Sequence, residues 1–119
     1  PGYALYTDPP LGRAGMTEAE ARAAGHDLLL SVRPMADVNR AVENGETVGL
    51  MKLIADAKTH RILGAAIFGI GGDEAIHGVV DLMSTGQSLG ALSWAVPIHP
   101  TVSELLPTLA RQLRPPTAV

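Results

Sequence analysis

The residues best suited to chemistry lie late in the chain, in the stretch Val96-Pro97-Ile98-His99-Pro100-Thr101-Val102-Ser103-Glu104. A residue that precedes proline is pushed out of the helical region into extended geometry, so His99 cannot join the helix expected after it. It projects from a fixed approach. Glu104 follows five positions later; on one continuous helix that offset turns the two side chains apart, whereas an extended His-Pro step running into a helix lets them meet. A carboxylate bonded to one imidazole nitrogen fixes the tautomer and raises basicity, leaving the other nitrogen to exchange a proton near neutral pH. The stretch Thr101 to Glu104 also reads as a capping box, in which threonine and glutamate side chains satisfy each other's backbone amides at a helix start. A carboxylate has two oxygens, so the two roles are compatible. Pro107, a few positions into that helix, would remove a backbone bond and make the helix kink or restart.

Other candidate sites are weaker. Phe68-Gly69-Ile70-Gly71-Gly72-Asp73-Glu74 is glycine-rich and precedes a helix whose amides could hold an anion. The dinucleotide fingerprint needs glycine where Glu74 stands, Asp73 and Glu74 repel phosphate, and no Walker lysine follows. The ordinary reading is a strand-to-helix turn with two acids at the positive helix end. His26, His60, His77 and His99 are too scattered in sequence to suggest a chelate, so no metal site is expected. His26 and His60 fall in turn-like contexts as solvated residues, and His77 points away from its helix's apolar stripe. Trp94 reads as a core or interface anchor.

The elements that must position these residues follow from periodicity and punctuation. Tyr3 to Thr7 is aromatic and β-branched enough for a strand, which the prolines and glycines of Asp8 to Gly15 then break into a turn. Thr17 with Glu20 forms a capping box for a short helix that ends at Gly25. Asp27 to Met35 is a strand closed off near Pro34, and Asp37 to Glu46 is polar punctuation with a helical turn before Asn44-Gly45. The segments 47–57 and 61–70 are the clearest strands, antiparallel neighbours joined through Lys58, Thr59 and His60. From Gly71 to Gly86 the period becomes helical, with Ala75, Ile76, Val79, Val80, Leu82 and Met83 on an apolar face and Gly72 or Asp73 at the cap. A short helix near residues 88–94, a last one over 101–113 and a frayed tail complete the chain. This order predicts an α+β fold.

Composition narrows the function classes. An apolar share of 46% over 119 residues is ample for one core in one domain. Net charge is -3 with mixed signs, and Tyr3, Tyr6, Phe68 and Trp94 are the only aromatics, which argues against a nucleic-acid surface. With no cysteine there is no disulfide framework, thiolate metal site or redox thiol, which fits a reducing cytoplasm. No apolar run approaches the roughly 20 residues that span a bilayer, and the first residues lack a signal-peptide pattern. A soluble, cytoplasmic domain is expected.

Three segments in order, "ALYTDPPLGRAGMTEAEA", "RILGAAIFGIGGDEAIHGVVDLM" and "IHPTVSELLPTL", resemble the C-terminal dimerisation domain of the class I pyridine nucleotide-disulfide oxidoreductases. That family includes glutathione reductase, dihydrolipoamide dehydrogenase and mercuric reductase. The resemblance covers essentially the whole chain and implies an antiparallel sheet with helices packed on it, closing a two-fold dimer. Residues 1–119 are then one domain at the C-terminal end of a longer flavoprotein, a reading that the lack of an initiator methionine before Pro1 favours. In such enzymes the histidine of the HPT segment crosses to the partner subunit and serves as acid/base for the thiol beside the flavin. The resemblance gives that role to His99, pairs it with Glu104, and brings the backbone of His99 and Pro100 to the flavin ring. The glycine-rich FAD and NAD(P) fingerprints and the paired redox cysteines are absent here and belong to preceding domains of the family. The parent would therefore hold FAD and NAD(P)H, and this chain alone neither. From a different class, a non-catalytic, stand-alone assembly or binding module would keep the same scaffold without the chemistry.

Overall fold

The strand pair expected at 47–57 and 61–70 forms the middle of the sheet. The computed structural model describes residues 2–5, 9–45, 48–86, 90, 92, 103 and 106–118. Its strands are β1 (Gly2–Leu5), β2 (Leu11–Gly15), β3 (Leu28–Pro34), β4 (Leu50–Asp56) and β5 (Ile62–Phe68), in the spatial order β1-β2-β5-β4-β3. Every pairing is antiparallel. The helices are α1 (Glu18–Ala23), α2 (Asn39–Glu43), α3 (Gly72–Ser84) and α4 (Leu106–Arg111), with 3₁₀ turns at Met35–Asp37 and Pro116–Ala118. The fold is α+β, as the sequence predicts.

Residues opposite one another across an antiparallel pair share a face, so the register sorts the sheet into two sides. On one side Ala14, Ala65 and Leu53 form a row and Ile67 and Met51 another, all but inaccessible to solvent. α3 lays Ala75, Ile76 and Val79 over the β1-β2-β5 part of this side, and α4 lays Leu106, Leu109 and Ala110 over β3 and β4. On the other side α1 places Ala21 over Leu28, Leu30 and Ile54. Beyond α1 the same side carries two more rows, Tyr3-Arg13-Ala66-Lys52-Val32 and Leu5-Leu11-Phe68-Leu50-Pro34.

Several local devices match the sequence reading. Thr17 caps α1 by accepting the Glu20 amide at 3.1 Å, while the Glu20 carboxylate accepts the Thr17 amide at 3.2 Å. Gly25 follows with φ +87°, and Gly86, at φ +69°, ends α3.

Three details differ. The stretch Asp8 to Gly15 is not simply a turn: Leu11 to Gly15 is β2, bonded on both sides. Gly12 is there because a Cβ would run into the Gly72 carbonyl and the Ile76 side chain, so glycine permits contact with α3 rather than marking a turn. The cap of α3 is Gly71 in the left-handed conformation at φ 72°, not Gly72 or Asp73. The tail does not fray at Arg114, which exchanges backbone bonds with Leu30 on the outer edge of β3: Leu30 N–H donates to Arg114 O at 2.7 Å and Arg114 N–H to Leu30 O at 2.9 Å. Of the short helix expected near 88–94, Gly90 and Leu92 are described, both helical, with Leu92 buried in the main core. The remainder of that expectation, with Trp94, lies outside the described residues.

Leu109 is fully buried in the main core, so Leu109→Ala removes buried methyl groups and leaves a cavity. Urea unfolding should show a loss of about 2–5 kcal/mol. A loss below about 0.5 kcal/mol, the range of surface substitutions, would show that α4 does not pack as described.

Candidate functional site

His99, Pro100 and Glu104, with the capping box Thr101 to Glu104 except for Ser103, lie outside the described residues. What is described is the ground on either side of them. Leu92, 4% exposed, precedes the segment, and Leu106, also 4% exposed, follows it, both in the one core that α3 covers. Ser103 is half-buried in a 3₁₀ residue. Pro107 is buried in the first described turn of α4, where its missing N–H costs little. Leu92 and Leu106 thus belong to one packed layer. The described residues do not bring the segment's members together with any other site residue.

The chemistry argued for His99 and Glu104 is found among the described residues at another place. His26 donates from Nδ1 to Asp56 Oδ2 at 2.6 Å, and the other oxygen of Asp56 accepts the amides of Lys58 and Thr59, each at 2.8 Å. An ionised carboxylate only accepts, so Nδ1 carries the proton in this pair. The Thr59 amide, then His26 and the Lys58 amide, hold the Asp56 carboxyl well below the usual carboxylate range. Its surroundings explain the arrangement: Asp56 ends β4 at the hairpin, His26 follows the Gly25 cap of α1, and the Ala57 amide donates to Asp27 O at 2.8 Å. The clamp joins the α1-to-β3 connection to the β4-to-β5 turn.

Sequence reading treated His26 as a solvated turn residue; the structure corrects this, because its imidazole is spent on Asp56. The available signal was local to Asp56 alone: an aspartate followed by a short polar turn is a common acceptor of amides two and three residues on. Nothing in the sequence tied residue 26 to residue 56. His60 does sit in the turn, exposed and at φ 59°, and His77 is exposed on α3. A cleft of about 550 Å³ opens beside His26, with Met16, Glu20, Arg61, Leu63 and Met83 among its walls. Glu20 there is already committed to the α1 cap. No group of three or more potential metal-ligating side chains occurs among the described residues.

The loop before α3 is closed to an anion. The Gly72 amide donates to Gly69 O at 3.0 Å and the Glu74 amide to Gly71 O at 3.1 Å, and Asp73 and Glu74 occupy the first turn, where they oppose a phosphate. The described chain offers no seat for a dinucleotide at that point.

The Asp56 pair gives a pH prediction. A carboxyl with a depressed folded-state pKa adds stability that is present above its unfolded value, about 4, and is lost as pH falls toward the folded value. Denaturation of wild type should become easier as the medium is acidified below about pH 4. Asp56→Asn should be less stable than wild type near neutrality, with a shallower acid-side slope; equal slopes would show that the clamp does not form.

Comparison with known proteins places this arrangement. The family model described as "Pyridine nucleotide-disulphide oxidoreductase, dimerisation domain" matches residues 2–110. The probable pyridine nucleotide-disulfide oxidoreductase RclA of Escherichia coli is 38% identical over 104 residues, spanning 87% of this chain and 24% of RclA. A mercuric reductase of Lysinibacillus sphaericus is 37% identical over 108 residues, 91% of this chain and 17% of that protein. The solved structure of the HOCl-induced flavoprotein disulfide reductase RclA from Escherichia coli superposes with a TM-score of 0.90 at 36% identity, covering 93% of this chain and 26% of that one. The chain therefore spans about a quarter or less of the length of these relatives. With a match over nearly its full length and the same antiparallel sheet and helices, this chain belongs to the pyridine nucleotide-disulphide oxidoreductase dimerisation domain family.

Proposed function

We propose that this chain is the C-terminal dimerisation domain of a longer FAD-dependent, NAD(P)H-linked disulfide oxidoreductase that works as a homodimer. Its own chemical contribution is His99, donated to the partner subunit's site with Glu104 as the residue that orients it. One observation carries the reading: the family match runs through residues 2–110 and so includes the His99-Pro100-Thr101 step and Glu104. Relatives with names such as flavoprotein disulfide reductase and dihydrolipoyl dehydrogenase support the cofactor class.

The division of labour follows from what the chain contains. It has no cysteine, and the acids in the first turn of α3 do not fit a pyrophosphate. The redox disulfide and the seats of both dinucleotides therefore belong to the rest of the parent. A bound flavin supplies electron transfer between a pyridine nucleotide and a disulfide. What this chain adds is a base of suitable strength: His99 takes a proton from a thiol and returns it, with the Glu104 carboxylate on the other ring nitrogen. With the flavin bound in the parent, His99 and Pro100 would be the residues of this chain that help hold it. Rigid attachment matters here, because a misplacement of about 1 Å can cost on the order of a hundredfold in rate. Burial of Leu92 and Leu106 on either side of the segment supports such an attachment.

The test is made in the parent enzyme. His99→Ala should lower turnover about 10²- to 10⁴-fold, the usual contribution of a positioned acid or base, while flavin content and dimer size hold. Glu104→Gln should cost less and shift the pH profile. Wild-type turnover in His99→Ala would remove the catalytic role and leave assembly alone.

A further inference from the structure

Where β2 ends beside the start of β5, the two layers of the fold share an opening. Met16 and Leu63 pack with the cluster under α1, Ile62 and Met83 with the one under α3, yet all four line one cleft of about 550 Å³. Glycine sets its floor. Gly15, at φ +66°, has no space for a Cβ between the Leu63 carbonyl and the Met83 side chain, and the Met16 amide donates to Leu63 O at 2.9 Å. Cavities of roughly 300–1,000 Å³ suit small ligands when apolar walls surround a few polar groups that fix orientation. Two polar groups here are uncommitted. The Arg61 side chain forms no ion pair or hydrogen bond among the described residues, and its guanidinium reaches the rim, since a Cβ on Gly86 would lie 3.8 Å from Nη2. His26 is pinned through Nδ1 to Asp56, which leaves the Nε2 lone pair held in a fixed direction on a side chain 30% exposed. Glu20, the acid in the wall, is engaged: its Oε1 accepts the Thr17 amide at 3.2 Å, and Arg13 acts on it electrostatically.

We propose that this cleft binds a small hydroxylated aromatic carboxylate, with its acid group on the Arg61 guanidinium, its hydroxyl donating to His26 Nε2 and its ring between the thioethers of Met16 and Met83. Each part of the ligand answers one wall. A guanidinium takes a carboxylate through two parallel hydrogen bonds. An imidazole whose Nδ1 carries the proton accepts at Nε2, so the second polar group of the ligand is a donor. Methionine sulfur makes favourable contacts with aromatic rings, which favours a ring over an alkyl chain, and Ile62 and Leu63 supply the remaining apolar surface. A bare inorganic anion would satisfy Arg61 and leave those walls unused. None of these residues takes part in the chemistry proposed for His99, so the site stands or falls independently of it.

The experiment titrates the flavin-loaded parent enzyme calorimetrically with para-hydroxybenzoate, and with benzoate and phenol as truncated probes. Saturable binding of para-hydroxybenzoate with Kd below about 1 mM is expected. Each truncated probe should bind at least about tenfold more weakly, and Arg61→Gln should weaken para-hydroxybenzoate by at least about tenfold, the size of a charge-assisted hydrogen bond. Met83→Trp, which fills the cleft, should abolish binding. Arg61 is exposed, so its replacement keeps the test decisive even where Met83→Trp fails to fold. Lys58→Gln removes a neighbouring cation whose side chain is 79% exposed and outside the cleft walls, and should leave Kd within about twofold. Absence of saturable binding to the wild-type parent overturns the proposal. Binding that Arg61→Gln leaves unchanged places the probe elsewhere in the parent and overturns it too, and phenol binding as tightly as para-hydroxybenzoate rules out the carboxylate class.

Discussion

Between Gly12 on β2 and the first turn of α3 there is no room for a side chain: a Cβ at residue 12 would meet the Gly72 carbonyl and Ile76. That approach lets α3 press Ala75, Ile76 and Val79 flat onto Ala14, Ala65 and Ile67, closing the main core. Gly71 makes it possible from the other side, since its left-handed backbone turns the chain sharply from β5 into the helix. Leu92, Leu106, Leu109 and Ala110 join the same core, so their packing depends on how closely α3 lies on the sheet. Interiors are close-packed and transmit displacement, so a lifted helix would be felt at the far end of the layer.

The two sides of the sheet are finished differently. One is sealed by α3 and α4, and its residues are small or aliphatic throughout the middle strands. The other is sealed by α1 over β3 and β4, where Lys52 reaches Glu18 and so keeps its charge at the helix margin. Past that margin the strands continue with their apolar alternation while the cover stops. On that side the hydrophobic layer is left half open, with Leu5, Leu50 and Phe68 exposed.

The His26–Asp56 clamp and the pairing proposed for His99 and Glu104 would rest on the same chemistry with different consequences. At Asp56 two backbone amides and an imidazole converge on one carboxylate at a hairpin, which locks two connections together. In the role proposed for His99, the value of the histidine would lie in the ring nitrogen that no carboxylate takes. A carboxylate beside a histidine therefore does not by itself identify catalysis. Its setting decides.

Much of the fold was legible in local patterns. Thr17 with Glu20 marked the start of α1, the period-two run to Ala57 and the following apolar run marked β4 and β5, and the helical period of Ala75 to Met83 marked α3. These signals are local because capping, strand alternation and helical amphipathicity act over a few residues. The candidate site was likewise written in sequence as a His-Pro step with a carboxylate five residues on, and its family came from motifs in order. Three features were decided only by tertiary structure. Gly12 looks like turn punctuation until α3 is seen lying against it, Arg114 looks like a tail until it pairs with Leu30, and His26 looks solvated until Asp56 arrives from 30 positions away. In each case the deciding contact joins residues distant in the chain, and local sequence carries no record of which distant atoms will fill the space beside a residue.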